Sequence, residues 1–227
     1  MATSVKQMRF GLGSATKAPT EKILMEIVQN GLFSDYGRRI LKLAMKLAQE
    51  AHKDQEPRGD GRPFLLHPIE TALIIIVELG ILLPCVIALA ILHDAVEDCP
   101  RLRAFILRHL SLGYSDRIIA ISREGSKDTY HAILIVSGWV VILVKLVDRL
   151  HNLRNILHKN EDFRIKQTVE TYQYFFKLLD RLEQIIPSRY AYVPGRLRRK
   201  IEFAIRRIEK SLGERGRRKL AIELKGL

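Results

Sequence analysis

The sequence predicts an all-α fold, and three observations carry that prediction. Apolar residues recur at i, i+3, i+4 and i+7 along most of the chain, the spacing of a buried helical face. Gly- and Pro-rich segments fall between these stretches, where helices stop and start. The 227 residues are 47% hydrophobic and 28% charged, enough apolar material for one domain with a substantial core and a small appendage.

In chain order, residues 1–20 are small, polar and weakly basic, without the apolar run of a secretory signal, and read as a loose tail. Helices are expected over Glu21–Leu32 and Tyr36–Lys53, with Gly31 and the loop Asp54–Pro63 (DQEPRGDGRP) as stops. Further helices are expected over Pro68–Leu79, Pro84–Asp98 and Leu102–Leu110. Pro68 and Pro84 both suit a first helical turn, where no amide donor is needed. The apolar run Ala72–Leu92 is interrupted by Glu78, Gly80 and Pro84, so two short buried helices fit it better than a membrane span. The residues of Ile133–Val147 leave strand and helix equally open, because Val and Ile favour strands only weakly in buried segments. Glu161–Ile186 is an amphipathic helix, Pro187–Gly195 a break, and Leu197–Leu212 a basic helix. This divides the chain into a tail (1–20), a main helical domain (21–186) and a basic helical extension (187–227), packed on the domain or trailing it.

The net charge is +13, from 38 Lys/Arg and 25 Asp/Glu. From Gly195 to Leu227 twelve Lys/Arg meet four Glu, a surplus of eight in the last segment alone. Such a balance suggests a polyanionic substrate or partner, although solubility alone accounts for a basic surface. Arg198-Arg199-Lys200, Arg206-Arg207 and Arg217-Arg218-Lys219 raise a nucleic-acid-binding or regulatory reading. Phe203 is the sole aromatic among them, so a stacking platform for single strands is lacking and a solvated basic helix is preferred. Cys85 and Cys99 belong to no metal or disulfide pattern, which points to a reducing compartment, the cytoplasm. The residues do not reveal an oligomeric state.

The densest chemistry lies in HDAVED, His93–Asp98. On one continuous helix, His93 and Glu97 would stack, as would Asp94 and Asp98, so four polar groups would share a face opposite apolar Leu89–Leu92. Ionisable groups on a buried helix are costly unless compensated, and a divalent cation would compensate them. A capped helix end is the plainer alternative. In VKLVDRLHNL, Val144–Leu153, Asp148 and Asn152 share a face with Lys145 one turn before. Asp148 alone is more often a salt-bridged residue, with Arg149 an available partner. His67, in PFLLHP, gains weight only from this company. Two imidazoles and two carboxylates suit Mn²⁺, Fe²⁺, Zn²⁺ or Ni²⁺ and leave positions on the ion for water and a substrate oxygen, as metal-assisted hydrolysis requires. His52, His109, His131, His151 and His158 have no partner at useful sequence spacing and read as surface or structural.

His67-Pro68, HDAVED and VKLVDRLHNL stand in the order and spacing of the hydrolase domain of Rel/Spo alarmone enzymes, an HD-superfamily branch that the chain resembles over roughly Ile40–Lys177. The resemblance implies an HD-type helical bundle, with Ile133–Val147 helical. It also implies metal ligands at His67, His93, Asp94 and Asp148, an acid pair handling protons at Glu97 and Asp98, and Asn152 near the nucleotide's sugar and base. Mn²⁺ is the typical metal. The implied reaction removes pyrophosphate from the 3′ position of a guanosine tetra- or pentaphosphate, giving GDP or GTP. Lys145 and Arg58 complete the expected substrate contacts. The loop departs from the family pattern: adjacent basic residues are usual there, one of them stacking on guanine. Here Glu56-Pro57 precede an isolated Arg58, with Arg62 the other basic residue available. This departure keeps an adenosine alarmone, a nucleoside monophosphate, a dNTP or NADPH in view as substrates. No synthetase-sized segment follows the last matching helix, as in the stand-alone small alarmone hydrolases.

Overall fold

The computed structural model describes residues 20–57, 61–99, 103–105, 112–122 and 126–227. The fold is all-α, as the periodicity predicts, and no strand occurs among the described residues. Helices α1 (Thr20–Gln29) and α2 (Asp35–His52) precede α3 (Leu66–Leu73), which continues into a π-helical turn over Ile74–Glu78. Then come α4 (Pro84–Leu92), the single turn α5 (Ala95–Asp98), α6 (Leu112–Ile121), α7 (Lys127–Val136) and α8 (Trp139–Arg154). Helix α9 (Glu161–Glu170) passes through a π turn (Thr171–Phe175) into α10 (Phe176–Ile185), and α11 (Tyr192–Ser211) and α12 (Glu214–Lys225) follow. Apart from 103–105, which are helical, the expected helix Leu102–Leu110 lies outside the described residues.

Local chemistry explains the starts and stops. The Ser34 hydroxyl accepts from the Gly37 amide at 3.2 Å, and Asn160 Oδ1 accepts from the Phe163 amide at 2.9 Å, so both helices begin with a side-chain cap. Pro84 opens α4 at its first position. Gly80, at φ 69°, turns the chain after the π turn in a conformation that a side chain disfavours. Gly37 serves a different need: a Cβ there would lie 2.8 Å from Pro84 Cγ, so its absence lets α2 close onto the start of α4.

The core is one large apolar cluster. Leu41, Ala44 and Ala48 of α2, Ile69 and Ile74–Ile76, Val86–Leu92 of α4, and Val140–Val147 of α8 contribute to it. The apolar run Ala72–Leu92 therefore forms two buried segments, and among the described residues no helix is long and apolar enough to cross a membrane. Ile133–Val147 is helical but not continuous, being divided at Ser137-Gly138 between α7 and α8. Neither Cys85 nor Cys99 is in a disulfide among the described residues.

Two expectations are corrected. Pro84–Asp98 is not one helix: His93 and Asp94 form a turn between α4 and α5, with Asp94 at φ −100°, ψ −11°. The break Pro187–Gly195 is shorter than expected, because α11 starts at Tyr192 and holds Pro194 within its first turn, where no amide partner is lost.

Helix α11 buries Val193, Leu197, Ile201, Ala204, Ile205 and Ile208 in the main cluster, against α8 and α10. Its polar groups also hold the end of the π turn. Tyr192 donates to the Leu79 carbonyl at 2.7 Å, Arg196 to the Glu78 carbonyl at 3.0 Å, and Lys200 pairs with the Glu78 carboxylate at 2.6 Å. A second, small cluster of Ile165, Leu212 and Leu220 seats α12 on α9, where the Glu161 carboxylate accepts from the Gly213 amide at 2.7 Å. Ile201 is fully buried. Ile201→Ala is therefore expected to lower the unfolding free energy in a urea titration by about 2–5 kcal/mol, the usual cost of truncating a core isoleucine. A change below about 0.5 kcal/mol is the surface value and would place the helix outside the core.

Candidate metal centre

The turn between α4 and α5 aims His93 and Asp94 into the bundle. The His93 ring is fully buried, and its Nδ1 donates to the Ala90 carbonyl at 2.7 Å, leaving Nε2 to face inward. His67, in the first turn of α3, presents its Nε2 from the other side, 3.1 Å from His93 Nε2. Asp94 Oδ2 lies 3.4 Å from His67 Nε2 and 3.2 Å from His93 Nε2. Asp148 Oδ1, from α8, lies 3.1 Å and 3.7 Å from the same two atoms. The fold thus gathers at one point all four side chains that the sequence singles out as ligands.

Donor atoms about 3 Å apart are what two ligands bonded at about 2.1 Å subtend at right angles around one ion. His67, His93 and Asp148 are all buried and their donor atoms converge. The mixed N/O chemistry and the geometry both fit a divalent transition metal.

The charges respond to one another. Burial disfavours charge on His93, but Asp94 and Asp148 outweigh it and raise its pKa to about 10. Burial likewise opposes charge on the two carboxylates. Lys145 and the two imidazoles overcome it at Asp148, and the imidazoles alone at Asp94, so both stay well below the ordinary range. Lys145 Nζ lies 2.9 Å from Asp148 Oδ2, and Asn152 donates to Asp148 Oδ1 at 2.7 Å, so the face shared by these three is real. Lys145, not Arg149, is the salt-bridge partner of Asp148. Arg149 lies instead 3.6 Å from the Glu170 carboxylate, bonds Gln167 and sits over the Phe175 ring at 4.0 Å.

The centre opens into a cavity of about 410 Å³, within the size range of small-molecule sites. Glu97, Lys145 and Asn152 line it beside the centre, and Lys127, Tyr130, His131 and Arg149 line it further on. Asp98 does not share that wall with Glu97. Its Oδ2 lies 3.5 Å from His52 Nδ1, and burial, with the Asp94 charge adding, raises its pKa. The kink at His93-Asp94 is why the expected common face of the four HDAVED groups is not formed. Arg58 lies outside the described residues. Arg62 pairs with Glu70 and is not among the cavity-lining residues.

Sequence reasoning missed two further histidines, one behind His67 and one lining the cavity. His151 is buried, with Nδ1 2.8 Å from His67 Nδ1 and Nε2 2.7 Å from Glu70 Oε2. Burial alone would raise the Glu70 pKa, but bonds from His151 and Arg62 lower it to about 2. His131 stacks on Tyr174 at 4.1 Å and 6°, and burial followed by the Arg149 charge lowers its pKa to about 4. These pairings span up to 84 residues and left no trace in local spacing.

No protein-family model matches the chain. It is 26% identical to the bifunctional (p)ppGpp synthase/hydrolase SpoT of Escherichia coli K12, over 85% of this chain and 32% of that protein. It is 30% identical to the GTP pyrophosphokinase rsh of Brucella melitensis, over 65% of this chain and 21% of that protein. The chain therefore spans about a third or less of the length of these relatives. A solved structure of a metazoan ortholog of SpoT, described as hydrolysing ppGpp, superposes with a TM-score of 0.58. That match covers 74% of this chain and 94% of the other at 20% identity, a likeness of fold. In sequence it is SpoT and rsh, and in fold a SpoT ortholog, that the chain matches: it resembles a Rel/Spo hydrolase domain.

Proposed function

We propose that this chain is a metal-dependent phosphohydrolase that removes pyrophosphate from the 3′ position of guanosine tetra- and pentaphosphate. The observation that carries the reading is the convergence of the His67, His93 and Asp148 donor atoms, with Asp94 Oδ2 within 3.4 Å of both imidazoles and Glu97 lining the same cavity. A relative from Escherichia coli O157:H7 bears the name guanosine-3′,5′-bis(diphosphate) 3′-pyrophosphohydrolase, which supports the substrate class.

In this reading the four side chains hold Mn²⁺, which when bound supplies Lewis-acid stabilisation of phosphoryl charge. Asp148 is oriented for this by Lys145 and Asn152, which occupy its other contacts. Glu97 takes a proton from the attacking water, whose oxygen bonds to the phosphorus on the 3′ oxygen. The bond from that phosphorus to the 3′ oxygen breaks, that oxygen takes up the proton Glu97 received so that the sugar regains its hydroxyl, and pyrophosphate leaves. Lys145 and Arg149 offer positive charge on the same cavity wall, and Asn152 a polar contact for the sugar. Asp98, turned towards His52, supports the local structure more than the proton transfer.

A second reading keeps this chemistry and changes the base. Arg62 is tied to Glu70, away from the cavity, and Glu56-Pro57 stand where a second basic residue is usual. Incubation with Mn²⁺ and a panel of guanosine and adenosine 3′-pyrophosphates, nucleoside mono- and triphosphates and NADPH separates the two. Release of pyrophosphate from the guanosine compounds is expected. Turnover of the adenosine compound alone would move the assignment.

Two predictions test the residues. EDTA should abolish hydrolysis and Mn²⁺ restore it better than Mg²⁺, since imidazole donors suit the softer ion, while Asp148→Ala should lose metal and activity together. Full activity after prolonged dialysis against chelator would refute the centre. Glu97→Gln should keep its metal and thermal midpoint while kcat falls about 10²–10⁴-fold with little change in KM. Asp98→Asn should cost far less in kcat, because Asp98 faces His52; equal losses in the two variants would show the acids acting as one unit.

A further inference from the structure

The two nitrogens of His67 face different surroundings. Nε2 points to His93, Asp94 and Asp148, and Nδ1 points away from them, 2.8 Å from His151 Nδ1. Between two ring nitrogens at that distance, one donates and the other accepts. The far side of His151 decides which. Its Nε2 lies 2.7 Å from Glu70 Oε2, and Glu70 is itself ion-paired with Arg62. A carboxylate only accepts, so His151 carries its proton on Nε2 and leaves Nδ1 bare; the Asn155 amide nitrogen, 3.2 Å from the same Nε2, donates to the nearer His151 carbonyl at 2.9 Å. His67 must then donate from Nδ1, and its Nε2 offers a lone pair to the centre. The opposite ordering would point an N–H of His67 at the place where a cation has to sit.

We infer that His151 and Glu70 are positioning residues for His67, forming with Arg62 a hydrogen-bonded chain that fixes the ring's tautomer and orientation toward the metal. The inference rests on the proposed metal centre and adds residues to it. His93 obtains the same service from a backbone group, the Ala90 carbonyl at 2.7 Å. His67 opens a helix, and its Nδ1 is turned to α8, so a side chain from α8 supplies the acceptor. Asn155 steadies that side chain's backbone by donating to the His151 carbonyl at 2.9 Å. The chain joins α3 to α8, and therefore links the two elements that bring His67 and Asp148 together.

The test measures Mn²⁺ binding by the purified full chain, with the metal alone as probe. Loss of an outer partner of a ligating histidine typically costs about 10–100-fold in metal affinity. His151→Leu, which fills the space and removes the acceptor, should show that loss. His151→Asn places Oδ1 where Nδ1 stood and should lose less than the roughly tenfold that marks the lower edge of that range. A packing role predicts the reverse order, with Leu the better substitute, and that result overturns the inference. If His151→Leu does not fold, Glu70→Ala against Glu70→Gln asks the same question. The amide still accepts from His151 and should bind more tightly than alanine; equal, wild-type affinities overturn the chain and leave the centre standing. A wild-type protein that binds no Mn²⁺, or an Asp148→Ala variant that binds it as well as wild type, removes the centre and the inference with it.

Discussion

The fold is organised around a cluster of ionisable groups in an apolar interior. His93 is fully buried and Asp148 nearly so, each surrounded by segments such as Val86–Leu92 and Val140–Val147 that offer almost no polar partners. Placing a carboxylate there without compensation costs several kcal/mol after relaxation, which is comparable to a large part of a domain's net stability. The compensation is local: Asp148 has Lys145 and Asn152 on its own helix, and His93 has the Ala90 carbonyl. Yet the imidazole nitrogens and carboxylate oxygens still face one another at 3.1–3.7 Å. A divalent cation, as proposed for this centre, would compensate those facing donors together.

How much of this was legible depends on the range of each interaction. Helices with a clear apolar face and a local cap, such as α2 and α9, could be read from spacing alone, to within a residue or two at their starts. The candidate ligands His93 and Asp94 stood out as polar residues beside an apolar run, whereas Asp148 gained weight only together with them. The kink at His93-Asp94 did not, since no Gly or Pro stands there to break the helix, and a straight helix put Asp98 on one face with Glu97. Ile133–Val147 was undecidable by propensity because its Val and Ile residues score as strand although the segment is helical, exposed at Ile133 and Val136 and buried from Val140 to Val144. His151, Glu70 and Arg62 were invisible for another reason. Glu70 and His151 meet across 81 residues, and His67 and His151 across 84, so only the packing of α3 on α8 reveals them. The misplaced pairing of Asp148 with Arg149 has the same origin. Neighbours in sequence on a helix point about 100° apart, whereas Lys145, three residues earlier, lies on the same face.

The C-terminal charge shows how composition can mislead about position. A surplus of eight positive charges suggests a solvated appendage, but α11 is amphipathic, with its basic residues on one side and Val193, Leu197, Ile201 and Ile208 on the other. Its apolar side belongs to the main core, and its Tyr192 and Arg196 bind the carbonyls at the end of the π turn that continues α3. Those carbonyls would otherwise end a buried helix without partners. The segment that carries His67 is thus held at both ends. The Pro63 and Phe64 carbonyls bond the Leu66 and His67 amides at its start, and α11 closes its finish. A ligand at the first turn of a helix is only as well placed as the helix itself. For that reason the basic C-terminal helix belongs to the same structural unit as the metal centre, although none of its residues lines the cavity.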